Sequence, residues 1–586
     1  MCGIFGYIGK KDNAAEIVLA GLKTLEYRGY DSWGIAVKQG DKLSSEKHVG
    51  KIGGAKTILK ESNLGIGHTR WATHGGVTDI NSHPHLDCTN EIAVVHNGIV
   101  ENHSELRDSL VKKGHKFISE TDTEVIAHLI EENLKTKNFF EAVRSSFLKI
   151  SGLNAVVVEN TKSHEIIAAK NGSPLIIGKG EGEIFIASDA SAVIPHTRKL
   201  LFLEDNKMVV LNGNVNLFSI QNGKKISAKF ENIDWKVEEA EMGKYKHFMI
   251  KEIHEQSKVI RNIAKNYEKE MTQLSSAIKN AKGTFFIGVG TAYNACLESA
   301  YFFSKIAKLH INPIIGSEFN YLEDFINNKS LVIAFSQSGE TIDVIEPLNK
   351  AKNKGAKIAA LVNVLGSTIY RIADVKALLG AGPEKAVAST KAYIAKVTMM
   401  FQLAYTMAGK QQFAKKLLLE TADEIDRLAS DESTQEIKKI AKKLANVSHI
   451  YTIGRGLSYP VALEAALKIK EVSYIHTEGL AGGELKHGPI ALIEKGTPVI
   501  VFAPSDETYE SIVSNATEIK SRGGLIIGIG AKKSPVFDHF IEVKDLGEAS
   551  SIAQIVPAQL LSYYITLEKK LDPDKPRNLA KSVTVK

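Results

Sequence analysis

Short apolar segments rich in β-branched residues dominate the chain up to about residue 224. GIFGYIG, EIAVVHNGIV and EIFIASDA are examples, and each is bounded by Gly, Asn or Asp. Such segments are typical of strands in packed antiparallel sheets. Helical spacing of apolar residues interrupts them around Ala14–Tyr27 and Thr123–Asn133. The pattern therefore predicts an α/β domain at 1–224 that consists mainly of sheets.

The pattern of apolar positions changes after residue 224. A polar, poorly periodic stretch at 225–243 predicts a linker. Beyond it, long helical patterns alternate with compact apolar strands, which indicates βαβ units around parallel sheets. We place one such domain at 244–430 and a second at 431–586.

The second part of the chain contains an internal repeat. FFIGVGTAYNACLESA returns as YTIGRGLSYPVALEAA, and VIAFSQSGET is echoed by VIVFAPSDET. The aligned pairs are Gly288 with Gly454, Gly290 with Gly456, Tyr293 with Tyr459 and Glu298 with Glu464. A repeat at a spacing of domain size indicates a duplicated domain rather than a solenoid.

Composition narrows the classes of function. The 586 residues carry a formal net charge of +7 and no basic run with interleaved aromatics, so we expect no nucleic-acid partner. No run of about 18 apolar residues is present, so we expect no membrane span. The N-terminus lacks the pattern of a secretory signal, and a cytoplasmic location fits best.

Cysteine usage argues against disulfides and metals. Cys2, Cys88 and Cys296 are too few and too far apart for a disulfide framework or a zinc site. We therefore predict no metal site.

Cys2 directly follows the initiator methionine. With Met1 removed, it would carry a thiol and a free α-amine on one residue. An α-amine with a pKa near 8 can accept the thiol proton near neutrality, so nucleophile and base would form one unit. The alternative, a core cysteine of a first strand, is the more frequent fate of cysteine in general.

The loop SQSGET at 336–341 follows an apolar strand and should begin a helix. Its hydroxyls, amide and backbone N–H groups can cradle a phosphate, and it lacks the lysine of a nucleotide-binding loop. Simple helix capping is the more common explanation for such residues. The second copy, APSDET, carries Asp506, whose carboxylate repels phosphate. We therefore expect one anion site per chain.

Ten motifs in a fixed order relate the chain to a known family. They are MCGIFGYIG, LEYRGYDSWG, HTRWATHGGV, HPH, HNGIVENH, SETDTE, SQSGET, VASTKAY, GELKHGP and NLAKSVTV. With them the chain resembles the glutamine–fructose-6-phosphate aminotransferase family over its whole length. The resemblance implies an N-terminal-nucleophile (Ntn) glutaminase with a four-layer α/β/β/α sandwich. Two sugar-isomerase (SIS) domains would follow, each a doubly wound parallel sheet.

The resemblance also implies a reaction. Glutamine would donate its amide nitrogen to fructose 6-phosphate, and the product would be isomerised to glucosamine 6-phosphate without a metal or organic cofactor. Cys2 would be the nucleophile, and the Asn97 side chain and the Gly98 N–H would stabilise the oxyanion.

Further residues are assigned to the glutamine pocket. Arg70 suits the carboxylate of glutamine and Asp122 its ammonium group. The resemblance adds Thr73 and His74 to the pocket and makes Trp71 a lid. Without the motifs, Arg70 and Asp122 would be interpreted as a structural ion pair and Trp71 as a core aromatic.

For the sugar-phosphate site, the resemblance implies a set of phosphate contacts: Ser336, Gln337, Ser338 and Thr341, with Thr291 and Ser389 nearby. The chain departs from the common family pattern GTSYN, because Ala292 in GTAYN lacks a hydroxyl. This change puts the affinity for phosphate in doubt.

Four residues would carry the sugar chemistry. His487 would open the ring, Lys581 would form a Schiff base with the open-chain ketone, Glu471 would move a proton between C1 and C2, and Lys468 would steady the developing oxyanion. Taken alone, Lys468 and Glu471 would be a surface pair, His487 a loop histidine and Lys581 a solvated tail residue.

The resemblance also implies that His487 serves the sugar site of the neighbouring subunit, and hence a homodimer.

Two other functions compete with this one. A different glutamine amidotransferase would need a pyrophosphate-binding loop or an ATP loop of SGG-x-D type, and the chain has neither. A non-catalytic sugar-phosphate sensor has no need of Cys2, Arg70, Asn97 and Asp122.

Overall fold

The computed structural model describes residues 2–232 and 242–583. The chain divides into two units, the first comprising Met1–Glu241 with Ala580–Lys586 and the second Met242–Leu579. In the described part of the chain, no helix is long and apolar enough to cross a membrane.

The first unit contains fifteen described strands and four described α-helices. They are β1 Gly3–Ile8, α1 Ala14–Leu25, β2 Ser32–Gln39, β3 Lys42–Val49, β4 Leu64–Arg70, β5 His85–Leu86, β6 Ile92–Gly98, α2 His103–Lys112, α3 Glu124–Leu134, α4 Phe139–Phe147, β7 Asn154–Asn160, β8 Ile166–Lys170, β9 Ile176–Lys179, β10 Ile184–Ala187, β11 Lys199–Phe202, β12 Lys207–Leu211, β13 Val215–Ser219, β14 Lys225–Ile226 and β15 Glu231–Asn232.

These strands form two antiparallel sheets that pack face to face. The first has the order β15-β11-β9-β10-β1-β4-β2-β3 and the second β14-β13-β12-β8-β7-β6-β5. Alternate residues of a strand point to opposite faces. In β6, Ala93 and Val95 therefore enter the core between the sheets, whereas Ile92 and Val94 contact the core under the helices.

Helices cover the outer face of each sheet. Helices α2, α3 and α4 share a core with the second sheet. Helix α1 lies on the first sheet, close to β4, because Gly67 leaves room for it. A Cβ at Gly67 would lie 2.6 Å from Val18 Cγ1 and 2.9 Å from Leu22 Cδ1. The predicted four-layer α/β/β/α sandwich is thus confirmed.

The structure adds elements that the sequence pattern did not reveal. Helices α2 and α4 were not predicted, whereas α1 and α3 match the two expected helical pieces. The stretch predicted as a linker contains β14, which pairs with β13, and β15, which pairs with β11. The sheets therefore extend to Asn232, and the part of the expected linker at 233–241 lies outside the described residues.

The second unit contains the remaining elements. They are α5 Phe248–His254, α6 Gln256–Asn266, α7 Glu268–Lys279, β16 Gly283–Gly288, α8 Thr291–Phe302, β17 Asn312–Ile315, β18 Ser330–Ser336, α9 Ile342–Asn353, β19 Lys357–Val362, α10 Thr368–Ile372, β20 Val375–Leu378, α11 Lys391–Met407, α12 Gln411–Leu428, α13 Asp431–Leu444, β21 His449–Gly454, α14 Ser458–Ser473, β22 His476–Ala481, β23 Pro498–Ala503, α15 Tyr509–Lys520, β24 Leu525–Gly530, β25 His539–Glu542 and α16 Ser550–Glu568.

Two five-stranded parallel sheets form the framework of this unit. Their orders, β17-β16-β18-β19-β20 and β22-β21-β23-β24-β25, have the same 2-1-3-4-5 topology. One large core joins the inner faces of both sheets through the helices between them, and a smaller core covers the outer face of each. The prediction of two doubly wound domains is confirmed.

The repeat seen in the sequence has a structural reason. Gly290 and Gly456, which align in the two copies, both adopt a left-handed backbone with φ of 53° and 54°. Gly288 and Gly454 leave no room for a side chain, because a Cβ would lie within 3 Å of the first turn of the following helix. Each copy thus turns from its first strand into its helix in the same way.

Candidate active sites

Cys2 directly precedes β1, in the middle of the first sheet. The backbone N–H of Trp71 donates to Cys2 Sγ at 3.3 Å. The Nε of Arg28 donates to the carbonyl oxygen of Cys2 at 3.1 Å. Burial raises the pKa of the Cys2 thiol, while the Trp71 hydrogen bond and the charges of Arg70 and Arg28 act against that rise. The thiol is therefore held in place, with three groups around it that favour a thiolate.

Gly3 has no room for a side chain, because Thr69 on β4 and Leu25 on α1 both lie close to it. A Cβ at Gly3 would lie 2.7 Å from Thr69 Oγ1 and 2.9 Å from Leu25 Cβ. Its backbone N–H donates to the same Thr69 hydroxyl at 3.1 Å. The residue behind Cys2 is thus fixed by both packing and hydrogen bonding.

Asn97 reaches Cys2 from the second sheet. Its Nδ2 donates to the Cys2 carbonyl oxygen at 3.2 Å and to Ser188 Oγ at 2.8 Å. His68 Nε2 lies 3.1 Å from Asn97 Oδ1 and 2.9 Å from the carbonyl oxygen of His96. Both of these oxygens accept, so Nε2 carries the proton, and the N–H side of the amide is turned toward Cys2.

His68 is a positioning residue that we did not predict, although it stands in the motif HTRWATHGGV. Burial lowers its pKa to about 3, so the ring is neutral in the folded chain. It stacks on His83, with ring centroids 4.0 Å apart. Its packing and its single N–H together determine the orientation of the Asn97 amide.

Gly98 ends β6 in a conformation that favours glycine. Its φ is 135°, and a Cβ there would lie only 2.3 Å from the carbonyl oxygen of Leu153. The close approach of the two strands is possible only because Gly98 has no side chain.

Arg70 ends β4 and holds the loop that follows. Its guanidinium donates to the carbonyl oxygens of His74 at 2.5 Å, Gly75 at 3.1 Å and Gly76 at 3.0 Å. Burial lowers its pKa, and the charges of Cys2, Asp31 and Asp122 oppose that effect. The charge of Arg70 thus interacts with both Cys2 and Asp122, while part of its guanidinium group holds the loop at 74–76 by hydrogen bonds.

The other predicted pocket residues lie around this loop. Asp122 is buried and accepts the backbone N–H of Val100 at 2.7 Å. Thr73 is exposed, and the ring of His74 packs edge-on against His103, with centroids 5.3 Å apart.

The loop after β18 forms the predicted strand-to-helix turn. The Oγ of Ser336 accepts the N–H of Gly339 at 2.9 Å and lies 3.2 Å from Thr341 Oγ1. The Oγ of Ser338 accepts the N–H of Glu340 at 3.2 Å. Thr341 directly precedes α9. Three of the side chains that we predicted for phosphate, those of Ser336, Ser338 and Thr341, are thus gathered in the turn before one helix.

The repeat-related loop before α15 is arranged differently. The carboxylate of Asp506 accepts the backbone N–H and the hydroxyl of Thr508, at 2.8 and 2.6 Å. A carboxylate therefore occupies the position where an anion would have to bind.

A buried ionic cluster lies between the two sheet domains of the second unit. The Nζ of Lys468 donates to Thr291 Oγ1 at 2.9 Å and lies 3.5 Å from Glu464 Oε1. It also forms an ion pair with Glu471. Glu464 accepts from Thr291 and from Asn294, at 3.0 and 2.8 Å. The structure thus brings together three predicted residues, Thr291, Lys468 and Glu471, and adds Glu464.

The interpretation of Lys468 as a surface residue is wrong. Its side chain is fully buried. Although burial acts to lower it, the pKa of Lys468 is raised by the charges of Glu471 and Glu464, and Glu384 acts in the same direction. A charged lysine is therefore maintained inside the protein by carboxylates.

Ser389 is connected to this cluster by Glu384, whose charge also acts on Lys468. The Ser389 hydroxyl donates to Glu384 Oε2 at 3.0 Å. The other carboxylate oxygen accepts the N–H groups of Thr390 and Ala392, at 2.9 and 3.0 Å. Glu384, which sequence reasoning missed, thus caps the start of α11.

The two other residues predicted for the sugar chemistry, His487 and Lys581, stand on other segments of the chain. His487 is exposed, at the end of a short helical turn that follows β22. Lys581 belongs to the tail segment that groups with the first unit. Their expected roles stay predictions.

Comparison with known proteins agrees with this architecture. The glutamine amidotransferase domain family matches residues 68–195, and the SIS domain family matches 277–407 and 443–569. Fold and sites thus define a glutamine amidotransferase joined to a pair of SIS domains.

Relatives that match this chain over its full length show to which family it belongs. The glutamine–fructose-6-phosphate aminotransferase (isomerizing) of Thermococcus kodakarensis is 44% identical over 607 residues, which cover 100% of both chains. The enzyme of that name from Aquifex aeolicus is 42% identical over 599 residues, again across 100% of both. A solved C-terminal domain of the Francisella tularensis aminotransferase is 30% identical, with a TM-score of 0.52, and covers 56% of this chain and 99% of that one. The chain belongs to the glutamine–fructose-6-phosphate aminotransferase family.

Proposed function

We propose that the chain transfers the amide nitrogen of glutamine to fructose 6-phosphate and isomerises the product to glucosamine 6-phosphate, with glutamate as the second product. One observation carries this proposal. The ionic cluster of Thr291, Lys468 and Glu471 is buried between two SIS domains in a chain that also holds Cys2 beside Asn97.

At the first site, the thiolate of Cys2 attacks the amide carbon of glutamine. The C–N bond breaks, ammonia leaves, and water then hydrolyses the thioester to glutamate. The oxyanion formed in each step is stabilised by the Gly98 N–H and by Asn97 Nδ2, which exchanges one of its two acceptors, the Cys2 carbonyl or the Ser188 hydroxyl, for the oxyanion. One such donor contributes about 10²–10³ in rate. The α-amine of Cys2 serves as the base once Met1 has been removed.

Glutamine itself is held by charged groups of opposite sign. Arg70 binds its carboxylate and Asp122 its ammonium group. Because Arg70 also holds the carbonyl groups at 74–76, it fixes the loop that carries Thr73 and His74. Trp71 covers the bound substrate.

At the second site, the phosphate of the sugar binds to the loop at 336–341, with Thr291 and Ser389 beside it. His487 opens the ring, and Lys581 condenses with the open-chain ketone to a Schiff base with loss of water. Ammonia from the first site then displaces the lysine amine, which leaves the nitrogen bound to C2 of the sugar as an imine. Glu471 moves the proton between C1 and C2, and Lys468 stabilises the oxyanion that develops next to it. No metal or organic cofactor takes part.

The proposal includes the assembly and the compartment. His487 serves the sugar site of a second copy of the chain, so the active form is a homodimer. A reducing cytoplasm is the fitting location, because Cys2 must remain a free thiol.

A direct assay tests the function. Purified protein with glutamine and fructose 6-phosphate should form glucosamine 6-phosphate and glutamate in equal amounts. Cys2→Ala should lose glutamine-dependent synthesis, but still form product from a high concentration of ammonia, because the sugar site is unchanged. Absence of product from the wild-type chain would refute the reaction, and glutamine-dependent turnover by Cys2→Ala would refute the nucleophile.

A further inference from the structure

Four side chains that can bind metals converge in the first unit, on the segments that lead to Asp122. Cys88 follows β5, His115 lies in the loop after α2, and His128 and Glu131 stand one turn apart on α3. One ligand atom from each of the four lies within 4.8 Å of the others. The substrate and catalytic residues named above do not include any of them.

The atoms that meet in this cluster are all electron-pair donors. Cys88 Sγ lies 3.8 Å from His115 Nδ1 and 3.5 Å from His128 Nδ1. Glu131 Oε2 lies 2.9 Å from His115 Nδ1 and 3.1 Å from His128 Nδ1. One sulfur, two imidazole nitrogens and one carboxylate oxygen thus surround a common point.

The outer nitrogens of both imidazoles face carboxylates. His115 Nε2 lies 3.1 Å from Glu132 Oε2, and His128 Nε2 lies 3.6 Å from Glu124 Oε1. The carboxylate of Glu132 accepts the outer N–H of His115 and so leaves the inner nitrogen free to bind a metal, and metal-binding histidines usually have such a partner. His128 Nε2 is buried and makes no hydrogen bond within the described part of the chain, although the carboxylate of Glu124 is its neighbour. The backbone N–H of Lys116 also donates to Cys88 Sγ at 3.4 Å and helps to fix its position.

We propose that Cys88, His115, His128 and Glu131 bind a structural Zn²⁺ ion. A tetrahedral zinc site with bonds of about 2.0–2.3 Å has ligand atoms roughly 3.3–3.8 Å apart. The Sγ–Nδ1 distances fall in that range, and the Nδ1–Oε2 distances are slightly shorter. Sulfur, nitrogen and oxygen ligands together suit zinc better than magnesium or calcium. This proposal revises the sequence-based expectation of no metal site, which considered only the number and spacing of the cysteines.

Four protein ligands complete the coordination of a tetrahedral zinc ion and leave no position for water or substrate, so the site is structural and not catalytic. It joins the turn after β5 to α3 and to the loop before it. Helix α3 begins at Glu124, two residues after Asp122, and β6, which carries Asn97, begins four residues after Cys88. The ion therefore braces the segments that carry the glutamine-binding residues, and His115 and His128 shield it from solvent.

Cobalt substitution tests the site in the full-length chain. Cys2→Ala serves as the background, because a terminal cysteine can itself chelate metals. Co²⁺ added to the metal-free protein should bind at one equivalent per chain, with the visible absorption of tetrahedral cobalt and a thiolate-to-cobalt charge-transfer band. Zn²⁺ should abolish both. Adding Cys88→Ser should remove the charge-transfer band, and because Cys88 is exposed, this change should leave the fold intact.

A matched cysteine control and a stability measurement complete the test. Cys296→Ala in the same background should keep the full cobalt spectrum, because Cys296 is buried in the second unit. A strong chelator should lower the melting temperature of the first unit by several degrees in the wild-type chain, but not in Cys88→Ser. Absence of the charge-transfer band, or a band that survives Cys88→Ser, would overturn the proposal. In either case the four side chains would interact only with one another and with the protein around them.

Discussion

Around Cys2, individual side chains are held by hydrogen bonds that allow one orientation only. The clearest case is Asn97, whose amide could bind in either of two ways. The neutral His68 N–H requires an oxygen, so it selects the orientation in which Nδ2 is directed to Cys2. Catalytic geometry at this site is therefore determined by a residue that does not itself contact the nucleophile.

We expect that His68→Phe weakens glutamine hydrolysis by about 10- to 100-fold. A complete loss of one oxyanion donor costs about 10²–10³, and a misoriented amide should cost less. The decrease should appear in kcat, with KM for glutamine nearly unchanged. Because the pKa of His68 is lowered to about 3 by burial, the wild-type rate should show no inflection from this ring above pH 5.

His68→Gln is the control for this prediction, because its amide can still donate to Asn97. It should retain more glutamine-dependent activity than His68→Phe, and both variants should make product from ammonia at the wild-type rate. If both variants lose the two activities equally, His68 supports the fold and does not position Asn97.

Among the helices and strands, the sequence predicted those with a repeated or alternating pattern of apolar residues and missed those without such a pattern. Helix α2 has only one buried residue, Leu110, so its sequence has little amphipathic signal. Strands β14 and β15 have two residues each, too few for an alternating pattern. The internal repeat, in contrast, correctly paired the glycines that turn each first strand into its helix.

The repeat also paired two glutamates whose roles have diverged. Glu464, on α14, accepts from Thr291 and Asn294 and lies near Lys468, whereas Glu298, on α8, accepts the hydroxyl of Tyr393. Sequence alone aligned them but could not show that both are fully buried. Burial raises the pKa of Glu298 to about 7, and the charge of Glu464 adds to the rise, although hydrogen bonds from Tyr393 and Ser551 oppose it.

This carboxyl group should make the stability of the second unit depend on pH. Between pH 4.5 and 7, the folded chain keeps the Glu298 proton that the unfolded chain has lost. The folded state binds more protons in this window, so the free energy of unfolding should fall as pH rises, by about 3 kcal/mol in total, and then level off.

Thermal unfolding of the second unit between pH 5 and 8 measures this effect. Glu298→Gln, which cannot ionise, should have a smaller loss of stability over the window than the wild-type chain. Glu510→Gln, a change at an exposed residue, should behave like the wild type. An unchanged pH dependence in Glu298→Gln would show that this carboxyl ionises normally.

For the whole molecule, the order of motifs was sufficient to predict both activities and the fold of each domain. It could not predict contacts that join distant segments. The loop carbonyl groups held by Arg70 come from three consecutive residues, but the proposed zinc ligands are spread from 88 to 131, and the cysteine count alone argued against them. Glu384 and Lys468 are likewise linked only in the folded second unit.

The last prediction concerns the homodimer, in which each sugar site would combine Glu471 of one subunit with His487 of the other. Glu471→Gln and His487→Ala should each be inactive in synthesis when prepared alone. Dimers assembled at random from equal amounts of both should recover about a quarter of the wild-type rate, because half of them contain one intact site out of two. A mixture of Glu471→Gln with Lys468→Met, whose changes lie in the same cluster, should stay inactive. If mixing restores no activity although the mixed dimer forms, His487 acts within its own subunit, and the reason for an obligate dimer disappears.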